Sequence, residues 1–290
     1  MGIIGNSLVI WIAGFKMKTV SAVWFLNLAI ADFIFDAFLP LQIISMIMDG
    51  HWPYGAFLCK VYFTEQLLNM FASISFLTVI SIDRFVSIVW PFWARIHRTY
   101  RLASTISIFI WILSLIISIP NFLIYDVPTH DWNLSVCDYN YEYSLKSDIF
   151  LEAFFYTKFV LMCGIPFVCV IVCNILIACK LCRIKSHRKS RRPFRVITIV
   201  VVCFFICWFP YHFWLPIAEN LSLKYIAIVD ILTSTFECFG SSNSCLNPIL
   251  YFIIGRHYKK NFKKPLLGIL QNALSEHASR EQDDTTESTV

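Results

Sequence analysis

Six apolar runs, each of twenty or more residues, constrain this chain more than any other feature of its sequence. An α-helix rises 1.5 Å per residue, so about 20 such residues cross a bilayer core of about 30 Å. The runs lack the period-two alternation of a membrane β-barrel, and their apolar residues cover every helical face. We therefore predict membrane-spanning helices at residues 22–48, 61–92, 102–124, 151–179, 193–218 and 225–254.

The first 15 residues, MGIIGNSLVIWIAGF, are apolar but too short to span a membrane. A signal peptide would need a basic segment before them and a small-residue cleavage site after them, and the sequence has neither. We interpret them as the inner half of a first membrane helix, truncated at its outer end; the alternative is an interfacial or re-entrant segment. The predicted fold class is an all-α membrane protein with a seven-helix bundle over residues 1–255.

Charge asymmetry predicts the orientation of the bundle. Of the 24 Lys and Arg residues, 20 lie on the side of the segments KMK, ARIHRTYR, RIKSHRKSRR and GRHYKKNFKK. The positive-inside rule makes that side cytoplasmic, with the C-terminus inside and the chain in the plasma membrane. The outer half carries four basic and twelve acidic residues, a balance of −8. Membrane lipid therefore explains the basic loops better than nucleic acid does, and no nucleic-acid partner is predicted.

Two of the 11 cysteines lie outside the apolar helices, on the outer side. Cys59 begins the third helix and Cys137 lies in the longest outer loop, where an oxidising compartment favours a disulfide. A bond between them would hold loop 125–150 over the mouth of the bundle. Two Asn-X-Ser sequons on the same side predict glycosylation at Asn133 and Asn220.

Polar markers appear in order, one helix after another, along the apolar runs. With them the chain resembles the rhodopsin-like (class A) family of G-protein-coupled receptors. The segments VWPFWARIHRTYRLA, LNMFAS and SCLNPILYFIIG resemble its chemoattractant branch, which includes receptors for chemerin, formyl peptides and prostaglandin D2. The markers are Asn6, Asp32, Cys59 with Asp83-Arg84, Trp111, Pro166, Trp208 with Pro210, and Asn247-Pro248 with Tyr251.

This resemblance implies roles for the charged residues inside the membrane. Asp83, Arg84 and Tyr251 are expected to couple the receptor to a heterotrimeric G protein of the inhibitory class. A bound Na⁺ is expected at Asp32; no other cofactor and no other metal is predicted. The predicted Na⁺ ligands are Asp32, Asn69, Ser73, Asn243 and Asn247. A snorkelling arginine and an ordinary interhelical hydrogen-bond cluster are the alternatives.

The outer half of the bundle is expected to bind the ligand. Lys158 lies eight residues before Pro166, where related receptors place a base that meets a ligand carboxylate or carbonyl. An acidic vestibule over one base favours a peptide or a protein C-terminus, chemerin-like or formyl-peptide-like. An anionic lipid such as a prostaglandin is the alternative. The predicted ligand-binding residues are Asp36, Glu65, Lys158, Trp208, Tyr211 and Glu237.

The chain also departs from the family pattern on its inner side. Phe85 follows the Asp-Arg pair, and Asn174 stands where a tyrosine is usual. No acid lies in residues 183–202, so a salt bridge from Arg84 to the sixth helix is excluded. Asp83 alone is therefore expected to be the resting partner of Arg84.

The C-terminal segment divides into a surface helix and a tail. Residues 256–266 are expected to form an amphipathic helix on the membrane, and residues 267–290 are too polar and acidic to fold. Phosphorylation of the tail would create an anionic strip that fits an arrestin, and Ser288-Thr289-Val290 fits a PDZ domain. The alternative is a merely solvated tail. The predicted phosphorylation sites are Ser275, Ser279, Thr285, Thr286, Ser288 and Thr289.

Three other functions compete with a signalling receptor. An enzyme is not predicted, because no catalytic constellation and no Gly-rich phosphate loop occurs. A transporter would show internal repeats between its halves, and none is visible. A non-signalling scavenger receptor stays open as an alternative.

Overall fold

Seven long helices run through the part of the chain that the computed structural model describes, which is residues 1–128, 135–139, 156–183, 192–219 and 226–257. An additional short helix, labelled α4, lies between the third and fourth long helices. The helices are α1 (Gly2–Trp11), α2 (Val20–Ile47), α3 (Gly55–Val89), α4 (Pro91–His97), α5 (Tyr100–Ile124), α6 (Ile165–Arg183), α7 (Arg192–Glu219) and α8 (Ile226–His257). Two π-helical turns extend them, Ile12–Lys16 after α1 and Val160–Gly164 before α6. The predicted seven-helix bundle is confirmed.

The helices close into a ring around α3. This helix packs against α2, α5, α6 and α7, while α1 joins α2 to α8 and α7 packs along α8. One apolar core runs through the bundle, and a smaller aromatic cluster around Trp52 and Tyr62 lies at its outer end. Threonine side chains cap two helix starts: Thr19 accepts from the Ala22 N–H and Thr99 from the Leu102 N–H, both at 3.2 Å.

The outer faces of the helices suit a lipid environment. Within the described residues, α2, α3, α5 and the helix Tyr156–Lys180 are long and apolar enough to cross a membrane, and Gly2–Lys16 and Thr198–Trp214 are shorter apolar stretches. On α5 the large residues Ile108, Phe109 and Ile116 point away from the protein. Such faces would be unfavourable in water, which supports the prediction of a membrane protein.

Two elements were not predicted from the sequence. Helix α4 starts at Pro91, a residue whose fixed φ favours the first helical turn, and brings the basic segment after it back under α3. In the outer loop, β1 (Tyr125–Asp126) pairs antiparallel with β2 (Asp138–Tyr139), with Tyr125 opposite Tyr139. Both elements are too short for a periodic pattern to reveal them.

Candidate functional site

A disulfide fixes the cover of the outer end. Cys59, in the first turns of α3, is bonded to Cys137, with 5.7 Å between their Cα atoms. The predicted pairing is confirmed, and it holds the end of β2 against α3. Lys60, next in the chain, lies 3.3 Å from the Asp126 carboxylate of β1. The hairpin is therefore attached to α3 by one covalent bond and one ion pair.

A second anchor holds the same loop from the α2–α3 turn. The Trp52 N–H donates to the Ser135 carbonyl at 2.7 Å, and the Ser135 N–H donates to His51 Nδ1 at 3.2 Å. The Trp52 ring packs against Tyr54 and Tyr62, and its Nε1–H donates to the Gly55 carbonyl at 3.1 Å. The outer cover thus has a rigid base.

Two of the predicted ligand-binding acids lie below this cover in different environments. Glu237 on α8 accepts a 2.6 Å hydrogen bond from Gln66 Nε2 on α3. Glu65, the neighbour of Gln66, is only 8% exposed, and neither of its carboxylate oxygens has a hydrogen-bond partner among the described residues. Tyr62, three residues earlier, lies within electrostatic reach of both acids. The helical turn 62–66 therefore lies next to both acids, between α3 and α8.

The remaining outer candidates lie on α7 and on the helical stretch that leads into α6. The Trp208 ring is buried and meets Tyr211 edge-to-face at 5.9 Å between centroids. A Cβ atom at Gly240 of α8 would lie 2.7 Å from the same indole ring, so only glycine allows this close approach. Lys158 is half-buried two residues before the π-helical segment and lies within electrostatic reach of His212. The base and the two acids described above are therefore on different helices.

Asp36 is placed differently from these residues. Its carboxylate accepts from Asn6 Nδ2 at 2.9 Å and from Ser244 Oγ at 2.6 Å, and Asn6 also donates to the Ser244 carbonyl at 3.2 Å. Gly2 packs directly against the same carboxylate. Asp36 thus joins α1, α2 and α8, and its assignment to ligand binding stays a prediction.

One turn further inward, Asp32 forms the centre of the predicted sodium site. Its carboxylate accepts from Asn247 Nδ2 at 2.7 Å and from Ser73 Oγ at 3.3 Å. Asn69 and Asn243 are buried in the same part of the bundle. The side-chain oxygens of Asn243 and Asn247 have no hydrogen-bond donor among the described residues. Asn247 itself donates to Asp32, and an orphaned amide oxygen near a carboxylate fits a hard monovalent cation. The Na⁺ site stays a prediction.

The inner end of α3 corrects the expectation that Asp83 alone holds Arg84. Asp83 is bound mainly by Arg98, which follows α4, with Nε at 2.7 Å and Nη2 at 3.0 Å from its carboxylate oxygens. Arg84 lies 3.8 Å from Asp83 and donates instead to Ser21 Oγ on α2. Arg98 also donates to Ser21, at 2.9 Å. Arg98 therefore binds Asp83 through both carboxylate oxygens, whereas Arg84 lies 3.8 Å from one of them.

Asn174 links the two helices that bound the inner opening. Its Oδ1 on α6 accepts from Thr198 Oγ1 on α7 at 3.1 Å, and its Nδ2 donates to the Val170 carbonyl at 2.9 Å. Tyr251 lies within α8, and its side chain is outside the described residues. The role of Tyr251 stays a prediction.

Several other predicted sites lie outside the described residues. These are both glycosylation sites, Asn133 and Asn220, the surface helix beyond residue 257, and all six phosphorylation sites, Ser275, Ser279, Thr285, Thr286, Ser288 and Thr289. Helix α8 continues through residues 256 and 257, which were assigned to the surface helix.

The structure also adds residues that the sequence analysis did not name as functional. In the sequence, Arg98 is explained only as part of a basic loop that sets the orientation in the membrane. Its position seven residues after Pro91 was the available signal, because a proline there can start a short helix that turns the chain back toward Asp83. Ser21 carried no signal, because a serine near the start of an apolar run is common. Gln66, a polar residue next to Glu65 inside an apolar run, was a signal that went unused.

Comparison with known proteins agrees with this geometry. The family model described as 7 transmembrane receptor (rhodopsin family) matches residues 5–251. The chain is 37% identical over 95% of its length to the C3a anaphylatoxin chemotactic receptor of Oncorhynchus mykiss, covering 76% of that protein. It is 38% identical over 99% of its length to N-formyl peptide receptor 2 of Homo sapiens, covering 86% of it. Human N-formyl peptide receptor 3 is 36% identical, with 99% of this chain and 85% of that protein covered.

Proposed function

Because the chain belongs to the rhodopsin family of seven-transmembrane receptors, we propose that it is a plasma-membrane chemoattractant receptor with its C-terminus in the cytoplasm. It binds an extracellular peptide and activates a heterotrimeric G protein of the inhibitory class. The relatives support this proposal, since they are named for formyl peptides and for an anaphylatoxin. The observation that carries it is a buried arginine at the inner end of α3 together with a disulfide-covered outer half on the same helix.

The outer half suits a peptide more than an anionic lipid. Glu65 and Glu237 are gathered between α3 and α8, and Lys158 lies at the start of the helix leading into α6. A ligand that is cationic along its body and ends in one carboxylate satisfies both regions. A fatty-acid-like ligand would use Lys158 but would be repelled by the acids. We therefore assign a peptide C-terminus, chemerin-like or formyl-peptide-like, to the Lys158 side.

At the inner end, Arg84 is the residue that meets the G protein. Its guanidinium is held at rest by the Ser21 hydroxyl and by Asp83 at 3.8 Å, and by no acid on the described part of α7. Outward movement of α7 would expose this always-charged fork to the carbonyls of an inserted partner helix. Tyr251 on α8 is assigned to the same contact.

Na⁺ at Asp32 would favour the resting arrangement. The cation would neutralise the Asp32 charge and occupy the region of the orphaned Asn243 and Asn247 oxygens. Asn69 and Ser73 on α3 complete the proposed set of ligands. A cation held between α2, α3 and α8 restrains movement of these helices against one another.

The tail supplies the second partner. Phosphorylation at Ser275, Ser279, Thr285, Thr286, Ser288 and Thr289 would add about −1.5 to −2 charges per site, which fits the basic groove of an arrestin. Ser288-Thr289-Val290 is assigned to a PDZ protein. Alanine at all six positions should abolish arrestin recruitment and leave nucleotide exchange unchanged.

Nucleotide exchange on a reconstituted inhibitory-class heterotrimer tests the proposal. The probes are an N-formylated tripeptide and longer peptides that end in a free carboxylate. Wild type and Arg101→Ala, which removes an exposed arginine at the start of α5, should both stimulate exchange. Arg84→Ala should abolish stimulation at matched surface expression. Unchanged stimulation in Arg84→Ala would contradict the proposal, and so would the absence of a response to every peptide.

A further inference from the structure

Glu65 differs from the other acids inside the described part of the bundle. Asp32 accepts two hydrogen bonds, Asp36 accepts three, and Glu237 accepts one from Gln66. Both carboxylate oxygens of Glu65 lack a hydrogen-bond partner within the described residues, although 92% of the residue is buried. An unsatisfied buried carboxylate is costly, so a protein retains one where it gains something in return.

The surroundings of Glu65 add a second acid and no hydrogen bond from the described residues. Asp36 on α2 lies within electrostatic reach of Glu65, and the Tyr62 hydroxyl lies within reach of both Glu65 and Glu237. The two bases of the described outer half are placed elsewhere. Lys60 is 3.3 Å from Asp126, and Lys158 is near His212. What would neutralise Glu65 is therefore a positive group that can donate hydrogen bonds.

The position of Glu65 along α3 indicates where that group comes from. Glu65 follows the disulfide residue Cys59 by six residues, which places it about 9 Å deeper in the bundle. It lies on the outer side of Asp32, whose partner Ser73 is eight residues further along α3. A cationic head on a long, flexible stem can descend this distance while its stem packs against apolar walls.

We propose that Glu65 is the binding site for a cationic group of the ligand, an ammonium or guanidinium of a basic side chain. The assignment rests on the proposed peptide-receptor function. It gives the outer half of the receptor one site for a positive group of the ligand and one site for a negative group. The cationic group pairs with Glu65 between α2, α3 and α8, with Tyr62 and the Gln66–Glu237 pair beside it. The anionic end of the same ligand meets Lys158. The distance between Glu65 and Lys158 then selects the spacing of the two charges along the peptide.

A neutral glutamine at position 65 separates this role from a structural one. If Glu65 is an uncharged, structural residue, Glu65→Gln should keep both the stability and the binding of wild type. If Glu65 is instead an unpaired carboxylate that binds a cation of the ligand, Glu65→Gln without ligand should unfold at a higher temperature than wild type. The same variant should lose the preference for cationic ligands. The substitution would then raise stability and weaken ligand binding, as expected for a binding residue that has no hydrogen-bond partner in the free protein.

The first experiment measures the unfolding temperature of the purified full chain with benzamidine and with benzamide, its neutral counterpart. Benzamidine should raise the unfolding temperature of wild type by several degrees and benzamide should not. Asp49→Asn, which removes an exposed acid after α2, should behave as wild type. Glu65→Gln should lose the benzamidine shift, and Glu65→Asp, which keeps the charge on a shorter side chain, should retain part of it. Equal shifts in wild type and Glu65→Gln, or no preference for benzamidine in wild type, would overturn the proposal.

An inorganic cation could also supply the positive charge at Glu65, and an exchange of salts tests this alternative. Replacing NaCl by KCl should change the unfolding temperature of wild type and Glu65→Gln by the same amount, because Na⁺ is assigned to Asp32. A sodium stabilisation that disappears only in Glu65→Gln would make Glu65 an inorganic-cation ligand and overturn the proposal.

Peptide pairs then separate this inference from the proposed function. Each pair of N-formylated peptides differs at one position, lysine in one and norleucine in the other. At one position lysine should bind wild type at least tenfold more tightly, and Glu65→Gln should remove that ratio. If benzamidine depends on Glu65 but no peptide stimulates exchange, the proposed function fails and the cation site stands. If peptides stimulate exchange but no position prefers lysine, the cation site fails and the function stands.

Discussion

Helix α3 carries an acid near each end, and the two acids are in opposite situations. Asp83 at the inner end receives two hydrogen bonds from Arg98, at 2.7 and 3.0 Å, with Arg84 at 3.8 Å. Glu65 in the outer half receives none from the described residues. An acid satisfied within the protein holds helices together, and its bonds must break when they separate. An acid left unsatisfied is available to a partner from outside the protein.

The two ends also differ in how their loops are attached. The outer hairpin is joined to α3 by the Cys59–Cys137 disulfide, and the same loop is joined to the α2–α3 turn by the Trp52–Ser135 hydrogen bond. The inner segment after α4 is joined to α3 by the ion pair of Arg98 with Asp83, and to α2 by a hydrogen bond from Arg98 to the Ser21 hydroxyl. A covalent attachment fixes geometry, while hydrogen bonds to charged groups contribute about 1.5–3 kcal/mol and can exchange partners. The outer end is therefore the rigid one and the inner end the adjustable one.

Cutting the outer attachment should have the largest effect. Cys137→Ser opens a loop whose ends are 78 positions apart in the sequence, and chain entropy puts the loss of stability at about 4 kcal/mol. Chemical unfolding of the purified chain should report this loss, and peptide binding should weaken because the cover over Glu65 is released. Cys179→Ser, which changes an exposed free cysteine on α6, is the matched control and should have little effect. Equal stability of the two variants would show that the outer end does not depend on its covalent bond.

Removing the inner acid should have the next largest effect, and on activity rather than on ligand binding. Asp83→Asn deprives Arg98 and Arg84 of their shared carboxylate, at a cost of about 3 kcal/mol if the pair behaves as a buried one. Basal nucleotide exchange should rise severalfold, because the substitution destabilises the resting state more than it destabilises a state in which Arg84 points outward. Peptide affinity should change little.

Arg98→Gln tests the same acid from its partner's side. Because Arg84 already lies 3.8 Å from Asp83, it can take the place of Arg98, so basal exchange should rise less than in Asp83→Asn. If the two variants raise exchange equally, Arg98 alone holds the inner end closed and Arg84 contributes nothing to it.

The two ends also differ in how well the sequence predicted them. Cys59 and Cys137 were found because cysteines outside apolar helices on an oxidising side have few other uses. Asp32, Asn243 and Asn247 were found because polar groups inside apolar runs need partners. Arg98 was missed because a basic residue in a cytoplasmic loop is already explained by membrane orientation.

The same reasoning explains what the sequence predicted of the fold. Long apolar runs predicted the seven long helices to within a few residues at most ends, since a bilayer core permits little else. Asp83 binds Arg98 more closely than it binds Arg84 because of the path of the chain after Pro91, and a seven-residue helix determines that path. The difference between Glu65 and Glu237 depends on Gln66 reaching α8, a long-range contact without a local signal.

The smallest predicted effect concerns the hydrogen bond between Asn174 on α6 and Thr198 on α7, which must break if α7 moves outward at the inner end. One such bond contributes about 1 kcal/mol, so Thr198→Val should raise basal exchange about fivefold at most. Thr198→Ser keeps the hydroxyl and should match wild type. Asn174→Ala should match Thr198→Val, and the double variant should add nothing further, because both remove the same bond. Additive effects would mean that the two residues act separately and that the inner end is closed by Asp83 and its arginines without help from α6.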